Sequence, residues 1–252
     1  MKVYTPDQQG TGAFDGGKIT EIKPIPFPHE SGGIKRTGPL LYWAWASARG
    51  EGVIGLHPHQ GFEIISYVLE GSVGHTDSAG NNRRVSAGGA QLMQTGSGIS
   101  HREEMYGDRT EFFQIWFEPD LRQALRREPV YLDQEDRDFL RTELPGGGTI
   151  KNILGHQGSM EIAAPARWDD IVLVGGEALA LTIEASSSMS LMTVNGDLEA
   201  SNGNQSVKLT TRDFGFEETT DGTEVQLKAG PEGARFHVFR VPVDPGYPLY
   251  RG

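Results

Sequence analysis

The chain alternates apolar and polar positions over many short stretches, and glycines and prolines separate these stretches. The longest alternating run covers residues 64–76, where Tyr67 and Leu69 lie on one face and Val68 on the other. Because successive side chains of a β-strand point to opposite faces, this period predicts a strand that faces a core. Shorter runs predict further strands at residues 18–22, 40–46, 83–86, 90–93 and 111–117. Short strands at regular spacing with glycine turns indicate a sandwich or a barrel.

The second half of the chain carries the same kind of pattern. A weak internal repeat relates the halves at an offset of 125 residues, which aligns Gly71 with Gly196. Strands are predicted there at residues 171–174, 179–185, 189–194, 207–210, 225–227 and 236–241. Between the halves, one short helix is predicted after an Asp120 cap and a second from Asp133, and residues 144–148 are interpreted as a linker.

This pattern predicts an all-β protein of two sandwiches or barrels in tandem, with short helices at the connection. We place the first domain at residues 1–143 and the second at residues 144–252. The 34 glycines and 14 prolines suit many tight turns better than a helical bundle.

Composition and charge narrow the possible functions. The absence of cysteine excludes disulfides, thiolate metal ligands and thiol catalysis. A net charge of −11 opposes direct binding to a phosphate backbone, so we expect no nucleic-acid partner. The first residues lack the apolar core of a signal peptide, and no run reaches the ~20 apolar residues of a membrane span. We therefore expect a soluble, cytoplasmic protein with no membrane partner.

Two short motifs carry the candidate chemistry. In a strand, residues two apart share a face, so His57 and His59 project together, as do His101 and Glu103. If the two strands meet, three imidazoles and one carboxylate converge. Such a donor set suits Fe, Mn, Co, Ni, Cu or Zn better than Ca or Mg. Four ligands on a six-coordinate metal leave two positions open, as in catalytic or sensing sites.

The ordinary alternative is that a surface strand carries the two histidines without any metal. The surrounding frame favours the metal site, because Gly61 clears space on the shared face and a glycine-rich loop precedes His101. Glu63 is separated from His57 and His59 by an even number of positions, so it would lie on the same face of a continuous strand. His75 has such a spacing too, but we expect it to make a structural hydrogen bond and not to be a ligand.

Residues 57–81 (HPHQGFEIISYVLEGSVGHTDSAGN) and 91–105 (QLMQTGSGISHREEM) resemble the bicupin family named after pirin. The resemblance implies two cupin-type jelly-roll barrels. In that family the metal is held by both histidines of HPH and by the His and Glu of H-x-E. These are His57, His59, His101 and Glu103 here. In many other cupins the ligand is a glutamate at the place of Glu63, but in pirin-like members it is not.

The internal repeat predicts that only the first barrel binds metal. The offset places Thr182 and Glu184 at the positions of His57 and His59. It places Gln226 and Lys228 at the positions of His101 and Glu103. His156 and His237 lie in the second half, but neither has a histidine or carboxylate two residues away. We therefore expect one divalent transition metal per chain, iron before Mn, Co, Ni, Cu or Zn.

The resemblance implies a mononuclear metal-dependent dioxygenase of the pirin and quercetinase type. Its substrate would be a flavonol-like aromatic hydroxy-ketone, and Glu103 would be the catalytic general base. The alternative is a metal-dependent regulatory adaptor with a protein partner, because other family members act as transcriptional co-regulators. A third hypothesis is a metal-stabilised scaffold without turnover. For all three we expect a monomer.

Overall fold

The computed structural model describes residues 1–155, 160–203 and 205–250, and these are almost entirely β. They form two nine-stranded sheets, so the predicted all-β class with two cupin-type barrels is confirmed. The chain divides into two compact units. The N-terminal barrel holds Gln9–Asp138, Ile162–Ala164 and Tyr247–Gly252. The C-terminal barrel holds Met1–Gln8, Phe139–Glu161 and Pro165–Gly246.

The strands are numbered in chain order. The first ten are β1 (Lys2–Tyr4), β2 (Gly10–Phe14), β3 (Ile19–Ile25), β4 (Leu40–Arg49), β5 (Gly52–His59), β6 (Glu63–Asp77), β7 (Asn82–Ser86), β8 (Ala90–Gln94), β9 (Ile99–Phe117) and β10 (Val130–Gln134). The remaining eight are β11 (Arg141–Glu143), β12 (Gly148–Leu154), β13 (Arg167–Leu173), β14 (Ala178–Ile183), β15 (Ser187–Asn202), β16 (Gln205–Leu209), β17 (Phe214–Thr219) and β18 (Thr223–Pro242). The helical segments are α1 (Leu121–Ala124) and three single 3₁₀ turns, Pro6–Gln8, Asp15–Gly17 and Asp136–Asp138.

The N-terminal sheet is folded around its two long strands, β6 and β9. Its order is β10-β8-β6-β9-β4-β3-β2, with β5 beside β9 and β7 beside β6. The first part of β6 pairs with β8, and its last part pairs with β7. Likewise, β9 pairs with β5 near its start and with β4 near its end. Each long strand therefore takes part in both layers of the barrel.

The C-terminal sheet repeats this arrangement with β15 and β18 as the long strands. Its order is β1-β17-β15-β18-β13-β12-β11, with β14 beside β18 and β16 beside β15. The predicted offset places residues 99–117 at 224–242, which is nearly the extent of β18. The internal repeat is thus visible in the strand pairing.

A glycine sits at the bend of each central strand. Gly71 and Gly196, which the repeat aligns, have φ of 75° and 78°. The pairing of β6 with β9 and of β15 with β18 shifts register beside them. A Cβ at Gly71 would lie 2.5 Å from the Arg109 carbonyl oxygen, and one at Gly196 would lie 2.1 Å from that of Gly233. Both the backbone conformation and the space therefore require glycine.

The interior of the N-terminal barrel has an apolar end and a polar end. The apolar end is a cluster of buried side chains: Ile19, Ala46, Ala48, Val68, Val73, Val85, Met105 and Phe112. At the other end, polar side chains are buried on the same strands, among them Glu21, Lys23, Ser66, Glu103 and Gln114. Buried polar groups need hydrogen-bond partners or ligands, so the polar end is where a site is to be sought.

Of the two short helices predicted at the connection, one is present. The helix after Asp120 is present, because Asp120 Oδ1 accepts the Arg122 N–H at 3.1 Å and caps α1. The helix from Asp133 was wrong, since Asp133 and Gln134 belong to β10, which pairs with β8. Tertiary pairing has overridden a weak local preference there.

The residues interpreted as a linker form the turn between β11 and β12. Leu144 accepts the Gly147 N–H at 2.9 Å, and both strands belong to the C-terminal barrel. The domain boundaries at residues 1–143 and 144–252 stay a prediction. Among the described residues, no helix is long and apolar enough to cross a membrane.

The bend glycine of the N-terminal barrel gives a stability test. We expect Gly71→Ala to lower the free energy of unfolding by about 2–5 kcal/mol, because the positive φ and the contact with Arg109 both resist a Cβ. Gly50→Ala is the matched control, since its φ is 72° and nothing lies within 4 Å of its added Cβ. It should cost only about 1–2 kcal/mol in the same denaturant titration. Equal losses in the two variants would contradict the close packing at the bend.

Candidate metal centre

Three histidines meet where β5 pairs with β9. His57 is directly opposite His101 in the antiparallel register, and His59 is opposite Ile99. One nitrogen from each ring lies within 4.8 Å of the others. His101 is buried, whereas His57 and His59 are half-buried. The predicted convergence of the three imidazoles is therefore present.

A β-bulge sets this alignment. Ile54 pairs with Glu103 and His57 pairs with His101, so Gly55 and Leu56 together oppose the single residue Arg102. The extra residue turns Leu56 outward, where 71% of its surface is exposed. A bulge of this kind re-aims the side chains that follow it.

The ring nitrogens are arranged as ligands require. His57 Nδ1 lies 2.7 Å from the Gly55 carbonyl oxygen, which can only accept, so Nδ1 carries the proton and Nε2 has the lone pair. His59 Nε2 and His101 Nε2 are buried and have no hydrogen-bond partner among the described residues. Imidazole rings with buried, unpaired Nε2 atoms, such as those of His59 and His101, fit a divalent transition metal.

Glu103 lies on the same face as His101 but is not a member of the group within 4.8 Å. Its carboxylate accepts hydrogen bonds from Ser66 Oγ at 3.1 Å and from Gln114 Nε2 at 3.2 Å. It is fully buried between these uncharged partners. A divalent cation beside it would supply the positive charge that a buried carboxylate needs.

Burial governs the titration of this group. Together with a smaller effect of the neighbouring histidines, it lowers the pKa of His101 to about 2 and that of His59 to about 4. Both rings are therefore neutral at pH 7. Burial also raises the pKa of Glu103 to about 7, against the hydrogen bonds from Ser66 and Gln114, which lower it.

Glu63 faces another part of the N-terminal barrel. Its carboxylate accepts the Ala163 and Ala164 N–H groups at 2.7 and 3.0 Å and the Gln94 amide at 2.8 Å. Burial raises its pKa, and these backbone hydrogen bonds lower it. Glu63 therefore secures the segment Ile162–Ala164, and its acceptor oxygens are already occupied.

His75 makes the structural hydrogen bond that its sequence position predicted. Its Nε2 lies 2.8 Å from Asp77 Oδ2, and its Nδ1 lies 3.3 Å from His101 Nδ1. Sequence reasoning missed Ser66, Gln114 and Asp77 as partners of the site. Ser66 lies on β6 and Gln114 on β9, and both strands have an alternating pattern. Nothing in a single sequence, however, links these two residues to Glu103.

Aromatic rings form a wall beside His59. The Trp116 ring is 4.7 Å from that of His59 and nearly perpendicular to it. Phe27 lies 5.2 Å from Trp116 and stacks on Tyr42 at 4.3 Å. Trp116 Nε1 is buried without a hydrogen-bond partner among the described residues. An open groove of about 360 Å³, lined by Pro58, Gln60 and Ser100, also reaches His59.

The repeat positions in the C-terminal barrel carry other side chains. Thr182 lies on β14 and Glu184 follows it, while Gln226 and Lys228 lie on β18. Thr182 pairs with Glu224 without a register shift, so the bulge beside His57 has no counterpart there. His237 Nδ1 accepts a hydrogen bond from Trp168 Nε1 at 3.0 Å. His156 lies outside the described residues.

Part of the chain is similar in sequence to known proteins. Residues 45–117 match the protein-family model named Pirin. The quercetin 2,3-dioxygenase of Escherichia coli K12 is 47% identical over 68 residues, which are 26% of this chain and 29% of that protein. The Pseudomonas aeruginosa protein PA1210 is 33% identical over 147 residues, 57% of this chain and 60% of its own length. The chain thus aligns with less than two thirds of either relative.

The fold is matched over nearly the whole chain. A crystal structure of the bacterial pirin YhhW from E. coli, in complex with nickel(II), superimposes with a TM-score of 0.77 and 22% identity. It covers 96% of this chain and 99% of the other. Over residues 45–117 the chain is similar to the Pirin family, and its fold is that of the bacterial pirin. His57, His59 and His101 all lie within the matched residues 45–117.

Glu63 provides a test of the ligand assignment. We expect Glu63→Gln to retain the metal and to speed amide hydrogen exchange at Ala163 and Ala164, because a glutamine oxygen can replace only one of two acceptors. A backbone N–H left unpaired should cost about 1–3 kcal/mol. Metal content and exchange rates are measured on the same samples.

The control is Glu111→Gln, another buried glutamate, whose carboxylate accepts from Arg109 at 2.7 Å. It should leave exchange at Ala163 and Ala164 unchanged. Loss of metal from Glu63→Gln would show instead that Glu63 is a ligand.

Proposed function

We propose that this protein is a metal-dependent dioxygenase that acts on flavonol-like aromatic hydroxy-ketones. The observation that supports this most is the meeting of three histidines beside a buried carboxylate in a barrel that an open groove reaches. His57, His59, His101 and Glu103 would hold one divalent transition metal. Iron is our first expectation, and the nickel(II) complex of the E. coli pirin supports the binding of a divalent transition metal in this fold.

The metal, when bound, would supply Lewis-acid and redox chemistry. The protein supplies the rest. Nε2 of His59 and of His101 is buried, and Glu103 is buried where it can take the proton of a substrate hydroxyl at its carboxylate oxygen. Ser66 and Gln114 hold that carboxylate in one orientation when it is not engaged elsewhere.

The aromatic wall supports an aromatic substrate. Trp116, Phe27 and Tyr42 offer ring faces and edges beside His59, and ring pairs of this kind add about 0.5–1.5 kcal/mol beyond buried area. The indole N–H of Trp116 can donate to a carbonyl oxygen. The names of relatives described as quercetin 2,3-dioxygenases agree with this substrate class.

Oxygen consumption tests the proposal. We expect uptake that requires both the metal and a flavonol, is abolished in His57→Ala and is reduced in Glu103→Gln. The loss in Glu103→Gln should appear in kcat more than in substrate binding if the carboxylate acts in the transition state. An oxygen electrode and elemental analysis of each sample provide the measurement.

Metal content is the control that separates the outcomes. If protein that contains one metal per chain consumes no oxygen with several flavonols, the enzyme hypothesis fails and the regulatory adaptor takes its place. Two tightly bound metals per chain would contradict the assignment of the site to the N-terminal barrel alone.

Trp116 gives a separate test of substrate binding. We expect Trp116→Phe to keep the metal and to raise KM about tenfold, because the ring is kept and only the N–H donor is lost. Trp45→Phe is the matched control, since Trp45 packs against Phe113 at 5.3 Å and lies on the opposite face of the sheet from Trp116 and its cross-strand partner Tyr42. An unchanged KM in Trp116→Phe would exclude the indole N–H from substrate binding.

A further inference from the structure

A chain of three polar side chains leads inward from the end of β6 to the metal centre. Asp77 Oδ2 lies 2.8 Å from His75 Nε2, and His75 Nδ1 lies 3.3 Å from His101 Nδ1. In the register of β6 against β9, Asp77 is opposite His101 and His75 is opposite Glu103. The side chains of Asp77, His75 and His101 are all buried.

Asp77 can act only as an acceptor in this chain. Its Oδ1 accepts the N–H groups of Ala79 and Asn81, both at 3.0 Å, and its Oδ2 accepts the Asn81 side-chain amide at 2.9 Å. Burial raises the pKa of Asp77, but the hydrogen bonds from His75 and Asn81 outweigh it and lower the pKa overall. Asp77 is therefore ionised and needs a donor at His75 Nε2.

The His75 ring is held in one orientation. Tyr131 stacks on it with ring centres 4.3 Å apart and planes 21° from parallel, and the His101 ring lies 5.2 Å away. Tyr131 is itself fixed by a hydrogen bond from its hydroxyl to Gln91 Oε1 at 3.1 Å. The ring can therefore not turn away from Asp77 without displacing a packed neighbour.

The position of each proton follows from this order. His75 donates from Nε2 to the carboxylate, so the neutral ring has its lone pair on Nδ1. His101 must then donate from its own Nδ1, which leaves the lone pair on Nε2. That Nε2 is the buried atom of His101 that has no hydrogen-bond partner among the described residues.

We propose that Asp77 and His75 are positioning residues that fix His101 as the Nδ1–H tautomer and so present its Nε2 lone pair to the metal. This inference rests on the proposed metal function for its purpose, but the tautomer itself is a property of the metal-free protein. The Gly55 carbonyl does the same for His57, so two of the three rings have their ligand atom set before any metal binds. Such outer hydrogen bonds typically change metal affinity 10–100-fold.

The first experiment reads the tautomer directly. Metal-free protein labelled with ¹⁵N-histidine is studied at pH 7 by two-bond ¹⁵N–¹H correlation, with a His101→Gln sample to assign the signals. We expect the proton of His101 on Nδ1. A proton on Nε2 in the wild-type protein would overturn the proposal, whatever the metal does.

The second experiment reverses the direction of the hydrogen bonds between residue 77, His75 and His101. In Asp77→Asn the new amide can donate to His75 Nε2, which makes His75 Nδ1 a donor and moves the proton of His101 to Nε2. We expect this tautomer in the spectrum and a 10–100-fold weaker Ni²⁺ affinity in a competition titration against a chromogenic chelator. His75→Phe should also weaken Ni²⁺ binding, because it removes the acceptor for His101 Nδ1.

Asp213→Asn is the matched control. Asp213 is 7% exposed against 8% for Asp77, and its carboxylate also accepts a backbone N–H, that of Thr210 at 2.8 Å. Asp213→Asn should lose comparable stability and keep its Ni²⁺ affinity. Wild-type affinity in Asp77→Asn would overturn the positioning role. If wild-type protein has the Nδ1–H tautomer but binds neither Ni²⁺ nor iron, the proposed metal function fails and the assignment of the tautomer stands.

Discussion

The pairing of β5 with β9 is the constraint on which the metal centre depends. If the register of Ile54 with Glu103 continued without a bulge, Leu56 would oppose His101 and His57 would point to the other face. A slip of one residue reverses every following side chain in a strand. The extra residue at Gly55 and Leu56 therefore decides that the two motifs share a face. The same bulge brings the Gly55 carbonyl to 2.7 Å from His57 Nδ1.

The polar end of the N-terminal barrel can exist because its groups satisfy one another. Glu103 has Ser66 and Gln114, while Lys23 lies between Glu21 and Glu30 at 3.6 and 2.5 Å. Leaving a charge buried without such partners would cost several kcal/mol. The apolar cluster around Phe112 at the other end supplies the hydrophobic burial that offsets this cost. The stability of the barrel thus comes from its apolar cluster, and the polar side chains are kept in place by the barrel.

Much of this arrangement can be predicted from the sequence, for a physical reason. Strand period and glycine turns are local, so the runs at residues 40–46 and 64–76 appear as β4 and β6. The convergence of the three histidines follows from parity, provided that the strands meet. The bulge could not be predicted, because one extra residue in a pairing depends on both strands. The partners of Glu63 lie about a hundred residues away and were equally out of reach. The helix expected from Asp133 failed because β8 offers an edge with which those residues pair.

A comparison of the two barrels distinguishes the features common to the fold from those that the metal centre requires. Both have long central strands that bend at a glycine with positive φ, and both bury a polar set on their sheets. Only β5 has the bulge opposite the start of the second long strand, whereas β14 pairs with β18 in continuous register. Histidines substituted at Thr182 and Gln226 would therefore not face each other as His57 and His101 do, since Thr182 is opposite Glu224. A metal centre in this fold requires a pairing irregularity as well as ligand residues, and the jelly-roll framework supplies neither by itself.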